Sequence, residues 1–415
     1  MAEPVGAVAA EPRPTGPAAV VRLVGTRNFG PYFVGNALSA SGTWFQNLAA
    51  ALLVYRLTHS ALLLGVLNFC QFAPTLLLVP WSGAAADRFD RRRLLLVTQP
   101  VAAGVSGTLA LLAWAGAASA PVVIVFALAM GVSSAMSTPA QQALIAALVE
   151  PRDIPSAVAL NSMTFNIARA TGPVGAAATV ATLGIPAAFA VNAASFLVFV
   201  AALLVVRPRR EERAESSRLR DSLALIRREP RLAAFLAIVA IVGFGSDPIN
   251  TLSPAFAHAF GHRDTVAGFI VGVFGAGAVA AAVVLTGRTA GSARRMAITL
   301  FLLGAGVTAF ALLPSLALAL PLLFVGGFGY LATNTSATSR LQLDVTPAQR
   351  GRIMALWGVA FLGLRPIASL VDGAIASAAG VRVAGVVLSV PALAAAAVIG
   401  ARAGLWGPSR PSRHS

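Results

Sequence analysis

The sequence predicts an all-α polytopic membrane protein of twelve transmembrane helices, arranged as two six-helix repeats. Three observations carry this reading. First, 57% of the 415 residues are hydrophobic and 11% are charged, with a mean hydropathy of +0.79; soluble domains carry about 25% charged residues, so a soluble globular enzyme is excluded. Second, twelve long apolar runs are bounded by arginine, proline or short polar turns, each long enough to cross a bilayer core as a helix. Barrel strands would be about ten residues long and alternate in polarity, which these runs do not. Third, the second half of the chain repeats the first.

Taken in order, residues 1–27 contain prolines and scattered charges with no short apolar core ending in a cleavage site. They read as a mobile cytoplasmic tail and not as a signal peptide. Span one, 29–56, bears Asn36, Ser39, Thr43, Gln46 and Asn47 at a period of three to four. A lipid-facing helix would not carry that stripe, so it faces a cavity or another helix. Spans two to six cover 60–86, 93–116, 121–149, 156–182 and 186–206, and span four carries Ser133, Ser137 and Gln141 at i, i+4, i+8. Residues 207–231, RPRREERAESSRLRDSLALIRREPR, form the longest and most charged connection, and Leu219, Leu223 and Ile226 share a face suited to the membrane surface. Spans seven to twelve cover 232–257, 265–286, 295–314, 316–341, 351–378 and 383–403. The expected organisation is therefore a tail (1–27), a six-helix bundle (28–206), a cytoplasmic linker (207–231), a second bundle (232–403) and a tail (404–415).

Charge sets the orientation. All 31 cations are arginine, against 15 acids, giving a net charge of +16. With the amino terminus inside, Arg56, Arg263 and Arg382 fall outside, Arg169 and Arg365 fall within spans, and the other 26 fall in tails and cytoplasmic loops. That bias predicts both termini in the cytoplasm. No aromatic residues interleave the arginines of the 207–231 loop, which sit beside membrane spans, so nucleic acid is not a partner. One cysteine, Cys70, excludes an internal disulfide and a multi-cysteine metal site. The sequence implies no metal and no cofactor.

The repeat is visible residue by residue. Pro151 and Arg169 in the first half map onto Pro347 and Arg365 in the second under one offset of 196. Span ten carries Asn334, Thr338 and Gln342 at the spacing of the span-four stripe. Parallel six-helix repeats about an axis normal to the membrane are a transporter architecture.

The stretch Gly83 to Arg93, GAAADRFDRRR, resembles the loop signature of the major facilitator superfamily: Gly83, Asp87, Arg88, Arg91 and Arg92 match, while Asp90 replaces the second glycine. The phrases DRFDRRRLLLVTQ, PRDIPSAVALNSMTFNIARATGP and RGRIMALWGVAFLGLRP resemble the branch that includes the bacterial enterobactin exporters, and the likeness covers about residues 28 to 400. It implies a permease alternating between inward- and outward-open states, commonly an exporter driven by proton exchange. It also implies that spans one, four, seven and ten line the central cavity. The matched loop residues would then form a conformational latch, a carboxylate accepting bonds at a helix end and pairing with arginine; the same arginines also satisfy the positive-inside rule. The second half keeps only Gly287-Arg288 and Arg294-Arg295, without the acid. Gly172-Pro173 resembles the core of the family's antiporter motif, with Ala168, Ala176 and Ala177 at other glycine positions; an ordinary proline kink is the alternative.

On this reading the cavity-lining candidates are Asn36, Thr43, Gln46, Asn47, Ser137, Gln141, Asn250, Asn334 and Thr338, with interhelical hydrogen bonding the alternative for any one of them. The intramembrane arginines Arg169 and Arg365 bind an anionic substrate or clamp the fold. Asp372 falls near the outer end of span eleven, where partial solvation is expected. Asp247, in GFGSDPIN, is the acid placed in the core of a cavity-lining span and is the proton-coupling candidate; an ion pair with Arg169 or Arg365, or a solvated place nearer the outer mouth, are its alternatives. The function these features imply is secondary active transport, read as proton-coupled efflux of a small molecule such as a drug, siderophore or other metabolite. Import by the same fold and a receptor without transport are the alternatives. No aspartate-rich diphosphate motif and no protease arrangement lies in a span, so a membrane-embedded enzyme is not expected. The partners are a small-molecule substrate, protons and lipid; the sequence is silent on oligomeric state, and a monomer suffices.

Overall fold

The computed structural model describes residues 17–78, 81–82, 85, 88–209, 229–285, 292–346 and 349–401. Among them every expected span is a helix. The first bundle comprises α1 (Phe29–Thr58), α2 (Ala61–Leu77), α3 (Arg91–Trp114), α4 (Ala120–Leu148), α5 (Ile154–Leu183) and α6 (Ile185–Val205). The second comprises α7 (Pro230–Thr251), α8 (Val266–Val284), α9 (Ala293–Leu312), α10 (Leu316–Leu343), α11 and α12 (Val381–Ala401). Helix α11 is composite: Arg350–Gly358, a π-helical turn Val359–Gly363, then Arg365–Ala379. Pro366 lacks the N–H an α-helix needs at that point, so the turn before it widens.

Nine of these helices are long and apolar enough by composition to span a membrane, and α2 is a shorter apolar helix. Helices α1 and α5 run 30 residues each, ample for a crossing. Their lower hydropathy comes from polar stripes, which here bond to neighbouring helices within the bundle. Asn36 Nδ2 donates to Asn161 Oδ1 at 2.7 Å between α1 and α5, and Asn192 Nδ2 of α6 donates to Gln46 Oε1 at 2.8 Å.

Residues 17–24, expected to belong to a mobile tail, instead form a helix, Pro17–Val24. Its Leu23 is 1% exposed, in a cluster with Phe29, Tyr32, Leu148 and Phe199. Arg22 reaches Asp153 at the head of α5 with two bonds, of 2.6 and 3.2 Å. The apolar face and one charged fork fix this segment. Residues 210–228 of the linker and 402–415 lie outside the described residues.

Within the first bundle α1 packs on α5 and α6, and α3 on α4 and α6; in the second, α9 packs on α10 and α12, and α8 on α10. Two seams join the bundles, α2 against α11 and α5 against α8. A two-fold axis relating the repeats exchanges these two seams. Both are built from residues too small to hold the backbones apart. A Cβ added at Gly65 would lie 2.4 Å from the Ser369 carbonyl oxygen; at Gly268, 2.3 Å from Ala177 Cβ; at Gly272, 2.2 Å from Val174 Cγ2; and at Gly275, 2.7 Å from Ala170 Cα. Between the bundles Arg56 also pairs with Asp264, and the rings of Tyr55 and His258 meet at 6.2 Å. These contacts run from mid-bundle to the end carrying the α1–α2, α7–α8 and α11–α12 turns, where the halves are closed on each other.

Candidate functional site

At mid-bundle, α7 and α11 face each other along a polar seam inside the second half. Asp247 is 1% exposed. Pro248 follows it in the chain without ending the helix, which runs on to Thr251. That register puts Thr251 one turn beyond Asp247. On α11, Arg365, Ser369 and Asp372 stand at i, i+4 and i+7, one face again. Asp247 Oδ2 accepts from Thr251 Oγ1 at 2.8 Å and lies 2.8 Å from Ser369 Oγ; Oδ1 accepts from Arg365 Nε at 3.3 Å. Ser369 Oγ also lies 3.0 Å from the Arg365 carbonyl and 3.3 Å from Thr251 Oγ1, so its single hydrogen selects among these acceptors.

Asp372 departs from expectation. Far from being partly solvated, it is 0% exposed, and neither of its carboxyl oxygens has a hydrogen-bond donor among the described residues. Its charged neighbour across the seam is Asp247, which bonds to Ser369 one turn before Asp372 on α11. Tight packing of α2 over α11 at Gly65 and Gly373 excludes water there: a Cβ on Gly373 would come within 3.0 Å of the Ala61 carbonyl oxygen.

The two intramembrane arginines reach across between the halves in opposite senses. Arg365, from the second half, lies over Phe72 of α2 at 4.3 Å and over Trp44 of α1 at 5.8 Å from the ring centroids. Arg169, from the first half, lies 4.6 Å from the Tyr330 ring of α10 and donates to its hydroxyl. Each guanidinium thus sits on an aromatic face of the other bundle. Breaking the buried Arg365–Asp247 pair from one side leaves an uncompensated charge, which costs about 3–5 kcal/mol. Arg365→Ala is therefore expected to lower folded yield and thermal stability on size-exclusion chromatography far more than Arg56→Ala, whose pair is exposed; equal losses would remove the seam from the fold's energetics.

The other stripe residues divide by partner. Asn36 and Gln46 bond within the first bundle, the latter buried beside Asn192, and Asn47 accepts from Gln71. Thr43, Ser137, Asn250 and Thr338 return their side chains to their own helix backbones, at Ser39, Ser133, Ser246 and Asn334. The Gln141 carbonyl accepts from the Tyr32 hydroxyl at 2.8 Å. Asn334 Oδ1 is buried without a donor. Gly172 packs on Trp44 of α1, where a Cβ would come within 2.6 Å of Trp44 Cβ, and the Pro173 carbonyl lies against Gly268.

Of the loop signature, Gly83 and Asp87 lie outside the described residues. Arg88 is exposed beside the Phe89 ring. Arg91 donates to the Ala143 carbonyl of α4 at 3.3 Å, and Arg92 to those of Leu203 and Leu204 at 2.6 and 2.9 Å, tying down the last turn of α6. Asp90, which replaces a glycine of the signature, caps α3 by accepting from the Arg93 N–H at 2.8 Å. Sequence reasoning missed Thr251, Ser369, Tyr330, Trp44 and Phe72 as partners of the charged groups. The i, i+4, i+7 spacing on α11 was the available signal.

The model of a family described as transmembrane secretion effector matches residues 24–408. A staphyloferrin A transporter of Staphylococcus aureus is 33% identical over 174 residues, 42% of this chain and 43% of that protein, so the match spans less than half of that relative. Macrolide efflux protein A of Streptococcus pyogenes is 21% identical over 84% of this chain and 89% of its own. Among solved structures, a bacterial homologue of the human lysosomal transporter Spinster, inward-facing and occupied, superposes with a TM-score of 0.74 at 15% identity over 95% of this chain and 98% of its own. At that identity the likeness is one of fold.

Proposed function

The chain belongs to the transmembrane secretion effector family of the major facilitator superfamily; from that premise we propose that it is a secondary transporter that exports a small molecule across the bacterial inner membrane in exchange for protons, by alternating access. The observation that supports the coupling is Asp247, an acid buried mid-span between α7 and α11 and bonded there to Thr251 and Ser369 as well as to Arg365. The family's description as a secretion effector and a relative named for macrolide efflux support the outward direction. With both termini cytoplasmic, the end at which α1–α2 and α7–α8 turn is the outer one. Substrate would enter between the halves from the cytoplasm, past Asn334 and the stripes of α1, α4, α7 and α10. Loop residues Gly83, Asp87 and Arg88 would complete the latch between the states, while Arg91 and Arg92 hold its helix ends.

Inverted membrane vesicles test this directly. With a respiratory proton gradient imposed, a panel that includes a macrolide and staphyloferrin A should yield at least one compound accumulated uphill, and a protonophore should abolish the accumulation. Uptake indifferent to the protonophore would end the proton reading, and accumulation only in right-side-out vesicles would establish import. Orientation has its own test. In a Cys70→Ser background, Gly261→Cys should react with an impermeant thiol reagent in intact cells and Ser217→Cys should not; labelling of Ser217→Cys would overturn the topology.

A further inference from the structure

The feature that the coupling reading leaves unused is Asp372. An ionised carboxylate can only accept hydrogen bonds. Asp372 is fully buried, has no donor on either oxygen, and adjoins another carboxylate, Asp247, whose own donors are Thr251, Ser369 and Arg365. As an anion it would be an orphan beside a like charge, with water excluded by α2. One proton removes every conflict. Asp372 then donates to Asp247, and the three charged groups sum to zero: Arg365 positive, Asp247 negative, Asp372 neutral.

We infer that Asp372 is the acid that holds the transported proton, handing it to and receiving it from Asp247 along the α7–α11 seam. This rests on the proton-coupled reading above and names its loading site. Among the described residues the packed helices bring no competing charge. Helix α2 offers only Cys70 among titratable side chains, and α12 only Arg382, which is taken up by the carbonyls of Ala311 and Leu313. On α7 the other charge, Arg231, is at the far end. Arg169 and Tyr330 act on Arg365 and bond to each other.

Position supplies the gating. Asp372 follows Arg365 by seven residues, about 10 Å further toward the α11–α12 turn at 1.5 Å per residue. At that level α2 lies directly on α11, Gly65 against Ser369 and Gly373, Ala61 against Gly373. Separating the halves at this end lifts α2 from α11 and uncovers Asp372. The same rocking step draws Arg365 away from Phe72 and Trp44. A proton therefore enters at Asp372 when the outer end opens, moves to Asp247 as Arg365 withdraws, and leaves inward after closure. No bond other than O–H is made or broken, and the proton is the only species transferred.

Infrared spectroscopy of the full chain in liposomes at neutral pH reads the proton directly. Wild type should show the deuterium-sensitive carbonyl stretch of a protonated carboxyl, and Asp372→Asn should lose it while Asp247→Asn retains it. Absence of the stretch in wild type, which needs no variant to fold, or its survival in Asp372→Asn, overturns the assignment. Asp372→Asn should also lose gradient-driven efflux while keeping substrate counterflow; undiminished gradient-driven efflux in that variant overturns it too. The two readings fail separately. A carboxyl stretch with protonophore-insensitive transport keeps the acid pair and rejects the coupling, whereas protonophore-sensitive transport without the stretch keeps the coupling and rejects Asp372.

Discussion

Asp247→Asn is expected to lose uphill efflux while retaining substrate counterflow between the two faces of a liposome. The amide keeps the shape of the protonated acid and still accepts from Thr251 and Ser369, whose hydroxyls lie 2.8 Å from Oδ2 in the native protein. It cannot pick up or release a proton, so a pH gradient has nothing to act upon. Counterflow needs only that the halves rock with substrate bound. The substitution also deprives Arg365 of its anion in a buried site, a destabilisation of a few kcal/mol, so folded yield should drop at the same time. Counterflow measured per folded molecule separates the two effects. Full gradient-driven efflux in Asp247→Asn would take this residue out of the mechanism, and loss of counterflow together with efflux would make it a structural pair with Arg365.

Gly268→Trp is expected to hold the halves apart at the closed end. A single Cβ there would already lie 2.3 Å from Ala177 Cβ and 2.4 Å from the Pro173 carbonyl oxygen. Backbone cannot yield to an indole, whereas the lipid-like interior of each bundle is untouched by the change. The protein should fold and bind substrate from outside, yet transport should fall to the background of empty vesicles. Spin labels at Leu57 and His262, flanking the Arg56–Asp264 pair across the seam, report the separation. In a Cys70→Ser background their distance distribution should shift to longer values in Gly268→Trp and stay short in the parent. An unshifted distribution would mean that α5 and α8 separate elsewhere, and that the glycines serve packing alone.

The helices were legible because bilayer thickness dictates their length and arginine marks their ends. The twofold repeat was legible because Pro151 and Arg169 recur at one offset as Pro347 and Arg365. Less legible was what each polar group touches. Gln46 and Asn192 are 146 residues apart and meet only because α1 and α6 pack, and no periodicity along one helix reveals that. The polar seam needed the register between α7 and α11: Asp247 was singled out from its own span, but Asp372 looked peripheral by position and proves sealed by α2. Asp90 looked like a defect in a loop signature and is a helix cap. The helix at residues 17–24 escaped notice because eight residues are too few for a periodic pattern, and its anchor, Asp153, lies 131 residues downstream of Arg22.

The bonds that α1 makes constrain how the polypeptide is born. It leaves the ribosome before the rest of its bundle and is one of the most polar spans, yet its partners come later: Gln71 on α2, Asn161 on α5, Asn192 on α6. Until they arrive, its amides have no lipid-compatible partner, and polar groups at the centre of a helix weigh against insertion. Helix α1 must therefore linger at the insertion machinery, or in the grip of a chaperone, until nearly half the chain has been synthesised. The first bundle is then completed in one cooperative step rather than helix by helix, and a ribosome stalled before residue 192 would expose a span that the membrane does not yet accept.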